Sequence, residues 1–532
     1  MSVVPKYNGK KLFSNPNQLS KLEWDAIVIG SGIGGMSCAA ALAKTGMEVL
    51  VLEQHYVPGG YTHMFSRKGY EWDVGVHAIG EMRPQDKPRQ VLDWLCKEKI
   101  EMVSLGDPYD EFKFPESFSY GLPSDKKVFL KTLQELFPDQ AENIKKYVDT
   151  IYKVVAYSKF FFLFQTFPRW LAKIAFGVLH SFNRNWFNVT TNDLLDELNI
   201  EGKLRTLLTI HWGYYGSLPK DSSLPMHALT HVHFRNGANY PKGGSKVFAE
   251  QILATVIEAG GEVIVRAKVI ELIMKNNTAV GVKLESGETI KAKKIVSAAG
   301  VKTSINAFIP YKKQYENWIN SINELDDSPP YLCLNLGFKG DIKKAGASAA
   351  NQWLINTWSN DISYWDITNK EEKPPILYVS FPSLKDPLHN EGPEKKHTGE
   401  CVTFLDFKHF EQWKDSDFNK RPEAYLRLKD EIEQRMLKEL KEKLPEIMKY
   451  LDHFELSTPL STIFYTRASK GAIYGLESSP KRFNNRWLRP TTPIKNFYFT
   501  GVDIGAVGVI GGMMTGLVTA ATIKRKLIKK FF

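Results

Sequence analysis

Residues 24–60 read WDAIVIGSGIGGMSCAAALAKTGMEVLVLEQHYVPGG. An apolar run at 26–29 meets Gly30-x-Gly32-x-Gly34-Gly35, an Ala-rich helical pattern follows as far as Gly46, and a second β-branched run at 49–52 ends on Glu53. That order predicts a βαβ unit built for a dinucleotide. The glycines permit a tight turn and let the backbone approach a pyrophosphate, which rests on the free N–H groups of a helix N-terminus. Gly30, Gly32, Gly34 and Gly35 are therefore the candidate phosphate-side residues. The carboxylate of Glu53 is suited to accept both hydroxyls of an adenosine ribose, and its charge disfavours a 2′-phosphate there. A glycine fingerprint alone is weak evidence. Here it stands between a strand pattern and a helix pattern, and an acid closes the second strand about 20 residues on.

The chain of 532 residues is long enough for roughly two to four domains, and a hydrophobic content of 43% supports a sizeable core throughout. Cys38, Cys96, Cys333 and Cys401 are scattered and form no CxxC pair, so neither a disulfide framework nor a zinc site is expected. The opening MSVVPKYNGKKLFSN is polar and has no apolar h-region, which predicts a cytoplasmic protein or one on a cytosolic membrane face. Net charge is +11, from 70 basic and 59 acidic residues, and its distribution is more informative than its sum. Residues 151–186 contain Lys153, Lys159, Arg169, Lys173 and Arg184 and no acid, interleaved with Phe160, Phe161, Phe162, Phe164, Phe167 and Trp170. The tail at 504–532 also lacks acids. Basic plus apolar character points to a lipid surface rather than to nucleic acid.

Further along, residues 63–77 (HMFSRKGYEWDVGVH) read as a hairpin turning at Gly69, with His77 just past its second strand. Prolines 108, 115, 123 and 138 punctuate a mixed stretch at 86–150. Within 151–186, Trp170, Leu171, Ile174, Ala175, Val178, Leu179 and Phe182 recur at helical spacing, without an uncharged run long enough to span a bilayer. An in-plane membrane-docking helix, or a lid over an apolar substrate, is expected there. Residues 240–300 read as a glycine turn, a helix and several strands; strand-like runs recur at 331–338 and 401–407, and 422–443 is a charged helix whose Glu and Lys pattern marks a solvated face. At the end, NFYFTGVDIG (496–505) and VIGGMMTG (509–516) make a strand, a glycine turn and a helix start.

Three separated blocks agree in kind: 24–60 with its trailing Gly59-Gly60, 240–300 and 496–516. Together they resemble the phytoene desaturase and carotenoid isomerase branch of flavoproteins, over nearly the whole chain. Within that branch the motifs at 63–80, GSLPKDSSLPMHA (216–228), YPKGGS (240–245), STPL (457–460) and KGAIYG (470–475) are most similar to the retinol saturases. The resemblance implies FAD as cofactor and an α/β fold: a Rossmann-type FAD-binding domain of the amine-oxidase and carotenoid-desaturase kind, interleaved with an α+β substrate domain. The implied FAD-binding domain is discontinuous, at 23–85, 240–300 and 490–526. The substrate domain takes 86–239 and 301–489, including the 151–186 insert. The resemblance also assigns Gly59 and Gly60 to the chain running under the flavin, Val269 to the adenine, Asp503 to the ribityl or phosphate side, and Gly512 and Met513 to the pyrimidine edge, with Gly501 as a further cofactor-binding residue.

It implies reduction of one C=C of a conjugated polyene lipid such as a retinoid or carotenoid, with cis-trans isomerisation or desaturation as the alternatives. His77 is the candidate proton donor because imidazole titrates near neutral pH, and Tyr474 is the second candidate. His63, His211 and His227 show no metal-ligand spacing and are read as structural. Only one nucleotide fingerprint is present, so an external electron donor or acceptor is expected. The predicted partners are then a polyene, a membrane surface met peripherally, and that redox partner.

Overall fold

In the computed structural model, the structure describes residues 6–7, 10–11, 19–182, 184–310 and 313–531. The strand Glu23–Ile29 is followed by the helix Ile33–Ala43 and the strand Val49–Leu52. Val49–Leu52 is buried at every position, as a parallel strand covered on both faces must be. The sheet runs Glu262–Ile264, Val49–Leu52, Glu23–Ile29, Thr289–Ser297, with Phe497–Phe499 pairing onto the last; all these neighbours are parallel. The antiparallel strands Thr278–Leu284 and Val269–Lys275 complete its seven strands.

Helix Ile33–Ala43 is buried from Gly34 to Ala43, because helices Val247–Glu258 and Gly508–Ile523 pack against it. Small residues permit that approach. A Cβ at Gly34 would stand 2.6 Å from the Gly501 Cα, and one at Gly516 would stand 2.5 Å from the Gly34 carbonyl oxygen.

A second seven-stranded sheet is ordered Leu451–Ser457, Tyr331–Lys339, Lys396–Phe404, Ile376–Ser380, Asn351–Ile355, Asp110–Lys113, Ser119–Leu122. Its one parallel pair joins Asn351–Ile355 to Asp110–Lys113. Tyr331–Lys339 is buried on both faces, and the two faces serve different cores. Leu332, Leu334, Leu336 and Phe338 pack with Ile432, Met436 and Leu440 of the helix Glu423–Lys443, while Tyr331 and Cys333 join the aromatic core that surrounds the cavity described below.

Two expectations need correction here. The strand expected at 401–407 is Lys396–Phe404, reaching back into the polar stretch because its residues pair along the whole of Tyr331–Lys339. The composition change at 151 is no structural boundary. One helix, Ala141–Phe164, runs through it and buries one continuous face, from Ile144, Tyr147 and Val148 through Ile151, Val154 and Val155 to Phe161. A second helix, Arg169–Phe182, follows.

Candidate functional site

A cavity of about 1390 Å³ runs between the two sheets. That is larger than a drug-sized pocket, and it suits a cofactor and a substrate laid end to end. Gly30, Gly32, Gly34, Gly35, Glu53, Gly60, Val269, Gly501 and Asp503 all line it. The separated glycine blocks and the adenine-side strand are thus brought to one space.

The glycines divide by what a side chain would meet. A Cβ at Gly35 would overlap the Gly30 carbonyl oxygen, and one at Gly60, where φ is +56°, would stand 2.9 Å from the Gly32 Cα. A Cβ at Gly32, Gly501 or Gly508 meets nothing within 4 Å. The space beside those three belongs to the cavity, and it is a cradle that a side chain would fill. Gly508 also begins the helix Gly508–Ile523, whose first turn lines the cavity, so its partial positive end faces whatever lies there.

Glu53 is held rather than free. It accepts from the Ser31 N–H at 2.9 Å, the Ser31 hydroxyl at 2.6 Å and the His55 N–H at 2.8 Å. A carboxylate offers about four acceptor positions, so a ribose hydroxyl finds one already oriented. Asp503 is pinned by the N–H groups of Val301 and Leu476, each at 2.8 Å. Buried Arg482 fixes the same loop, donating to Gly505 O at 2.7 Å, to Leu476 O at 2.8 Å and to Val502 O. Burial lowers the pKa of Arg482 to about 10, still well above neutral. These residues fit an FAD: open glycine cradles, an oriented ribose acceptor and a helix N-terminus on one continuous cavity.

Three expected cofactor residues lie elsewhere. Gly59 is behind the lining, in a turn with φ +118° where its N–H donates to the Ser31 hydroxyl at 3.1 Å. Gly512 packs on Ile33, where a Cβ would come within 2.8 Å. The Met513 side chain is buried in the core with Met36, and Met514, one helical step round, lines the cavity.

The far end of the cavity is aromatic, with Tyr214, Phe234, Trp353, Tyr378 and Phe404, together with Met226 and Cys333. Both candidate proton donors face this space. Tyr474 donates to Gly213 O at 3.3 Å, and burial pushes its phenol upward. The His77 side chain is 15% accessible, with Nδ1 3.0 Å from Glu400 Oε2. Burial, helped by the charge of Lys385, lowers the imidazole to about 3, so it stands neutral at the cavity wall.

The other histidines have local partners. His227 sits between the hydroxyls of Tyr147 at 2.6 Å and Tyr215 at 3.2 Å, and His211 Nε2 lies 3.7 Å from Asp110. His63, read as structural, has Nδ1 2.5 Å from Gly60 O and also borders the cavity. Glu400 and Lys385 were missed; an acid inside the otherwise apolar strand end GECVTF was the available signal.

The chain matches the family of flavin-containing amine oxidoreductases over residues 33–524. It is 32% identical over 520 residues to the all-trans-retinol 13,14-reductase of Danio rerio, covering 94% of this chain and 85% of that protein. It is 25% identical over 538 residues to the chloroplastic prolycopene isomerase of Daucus carota, covering 95% and 80%. Among solved structures, putrescine oxidase bound to putrescine superposes with a TM-score of 0.63 at 15% identity, covering 94% of this chain and 99% of that one. Fold and site define a dinucleotide-binding α/β oxidoreductase. The chain belongs to the flavin-containing amine oxidoreductase family, and its cofactor is FAD.

Proposed function

We propose that this flavoenzyme reduces one C=C bond of a conjugated polyene lipid such as a retinoid. The observation that carries the reading is the single cavity with a dinucleotide cradle at one end and an aromatic chamber at the other, whose wall presents a neutral imidazole. Long, rigid, apolar substrates gain from such walls, and a chain of this length lies with one end toward the cofactor. FAD, when bound, supplies the two-electron exchange with carbon. The chain's own residues do the rest: they hold the cofactor through Gly32, Gly501 and Glu53, exclude water with the aromatic rings, and supply a proton from His77. Gly30, Gly34, Gly35, Gly60, Val269 and Asp503 shape the cofactor side, and Tyr474 lines the wall as a second hydroxyl. Reduction is favoured over isomerisation because the chain is 32% identical to the reductase of Danio rerio and 25% identical to the isomerase of Daucus carota.

The substrate reaches the site from a membrane to which the protein attaches peripherally. Among the described residues no helix is long and apolar enough to cross a membrane. Helix Arg169–Phe182 instead presents Trp170, Ile174 and Val178, one turn apart and 67%, 57% and 55% exposed. Phe160, 52% exposed, also lines the cavity with Phe162 and Leu163, which supports an apolar mouth beside that face. A separate redox partner delivers the electrons.

Enzyme reduced without oxygen and mixed with a retinoid in liposomes is expected to yield a dihydro product. A product of unchanged mass and altered geometry moves the reading to an isomerase.

A further inference from the structure

Asp73 and Glu400 are buried carboxyl groups that act on each other but are treated differently by their surroundings. Asp73 accepts from the hydroxyls of Tyr240 and Ser245 and, at 3.1 Å, from the Ser245 N–H. Glu400 is 1% exposed, and among the described residues neither of its oxygens completes an aligned hydrogen bond. Its polar neighbours are His77 Nδ1, 3.0 Å from Oε2, and the backbone of Asp73. Burial raises both acids, and donated hydrogen bonds oppose it strongly only at Asp73. A buried carboxylate with only the Asp73 backbone to support it is costly, whereas a neutral acid can turn its own proton to the imidazole. Both carboxyls are raised, Glu400 much further, so the donor-rich Asp73 is the one suited to hold charge and Glu400 the one suited to stay an acid.

Lys385 completes the cluster. It donates to His77 O at 2.7 Å, Asn351 Oδ1 at 2.5 Å and Ser380 Oγ at 2.7 Å, fixing the backbone that carries the imidazole. The other titratable groups acting with Glu400 are Tyr240, Tyr331, Tyr378 and Cys333, all pushed upward by burial and hence neutral. The charges that act on it are Asp73, which raises it, and Lys385, which lowers it; burial brings Lys385 itself down to about 7, against the opposing pull of Asp110, Glu400 and Asp73.

We propose that Glu400 is the proton reservoir of His77: it returns a proton to Nδ1 as the imidazole releases its Nε2 proton into the cavity. This rests on the polyene-reduction reading and deepens it. The C=C π pair and a hydride equivalent from reduced flavin end as two C–H bonds, the second hydrogen being the Nε2 proton. Nδ1 takes the Glu400 proton, so the imidazole changes tautomer without becoming charged. Glu400 is left as a carboxylate near Lys385 and regains a proton from water once product leaves. His77 touches the substrate; Glu400 acts through it as a positioning residue.

Infrared difference spectra of the FAD-loaded protein, wild type against Glu400→Gln, test the proton's location without turnover. Near neutral pH the wild type should show the C=O band of a water-excluded carboxylic acid, shifted in D2O and missing in the variant. Glu400→Gln should keep its flavin spectrum, form dihydro product about 100-fold more slowly and show an altered pH profile, with Glu400→Asp recovering part of the rate. An ionised Glu400 in the wild type, or a Gln variant with wild-type rate and pH profile, overturns the proposal. A wild type that reduces no polyene overturns the functional reading instead, and the infrared band alone then decides where the proton sits.

Discussion

At Gly32 a side chain would find open space, and at Gly34 it would strike the backbone of Gly501. Neighbouring glycines of one motif therefore fail differently. Gly32→Val is expected to fold and to weaken FAD binding by about 100-fold, equivalent to about 3 kcal/mol, because the branched side chain fills the cradle. Gly34→Val is expected to give little folded protein. Flavin absorbance after gel filtration, with a thermal-shift scan in added FAD, separates the two. Glu53→Ala should fold but lose about 10- to 100-fold in affinity, since a charged hydrogen bond contributes about 1.5–3 kcal/mol. Full FAD retention by both Gly32→Val and Glu53→Ala contradicts the cofactor assignment.

Glu477 makes a pH prediction of its own. Burial, then Asp221 and Asp326, raise it from 4.5 to about 7. The folded state thus holds a proton that the unfolded chain has lost, and stability falls as pH rises from 4.5 through about 7. Glu477→Gln should remove that loss and stabilise the protein above neutral pH by on the order of 1–3 kcal/mol. Urea melts at acidic and basic pH check it, and equal midpoints for both proteins in basic buffer contradict it.

Among the elements, the helix pair Ala141–Phe164 and Arg169–Phe182 shows what a periodic pattern reveals and what it hides. Helical spacing marks Trp170, Ile174 and Val178 as one face. Nothing in that spacing separates Phe160, which is exposed, from Phe161, which is 7% exposed and packs on Phe187 and Phe483. A membrane test must therefore spare Phe161. Replacing Trp170, Ile174 and Val178 by Ser should leave the fold intact and remove most liposome co-sedimentation, while high salt weakens the wild type only in part. Unchanged sedimentation of the triple variant contradicts the docking face.

Taken as a whole, the molecule places its chemistry between two sheets assembled from distant parts of the chain. The cofactor end was legible in sequence because each of its demands is local: a glycine where backbone must approach, an acid at a strand end, a helix start. The far end was not. His77 and Lys385 meet across 308 residues, and Asp73 meets Ser245 across 172. Only strand pairing and burial create such neighbours, and both are set by the register of long-range contacts rather than by spacing. Met513 and Met514 show the same limit at one residue: a run of two methionines does not say which faces the core.

The central claim is that this one cavity unites FAD with a polyene to be reduced. Its most direct test is a single turnover: enzyme carrying one FAD, photoreduced without oxygen, is mixed with one equivalent of a retinoid in liposomes, and flavin absorbance and lipid mass are followed together. The account predicts that oxidised flavin returns in step with a product two hydrogens heavier, one for one. Product of unchanged mass while the flavin stays reduced would contradict it.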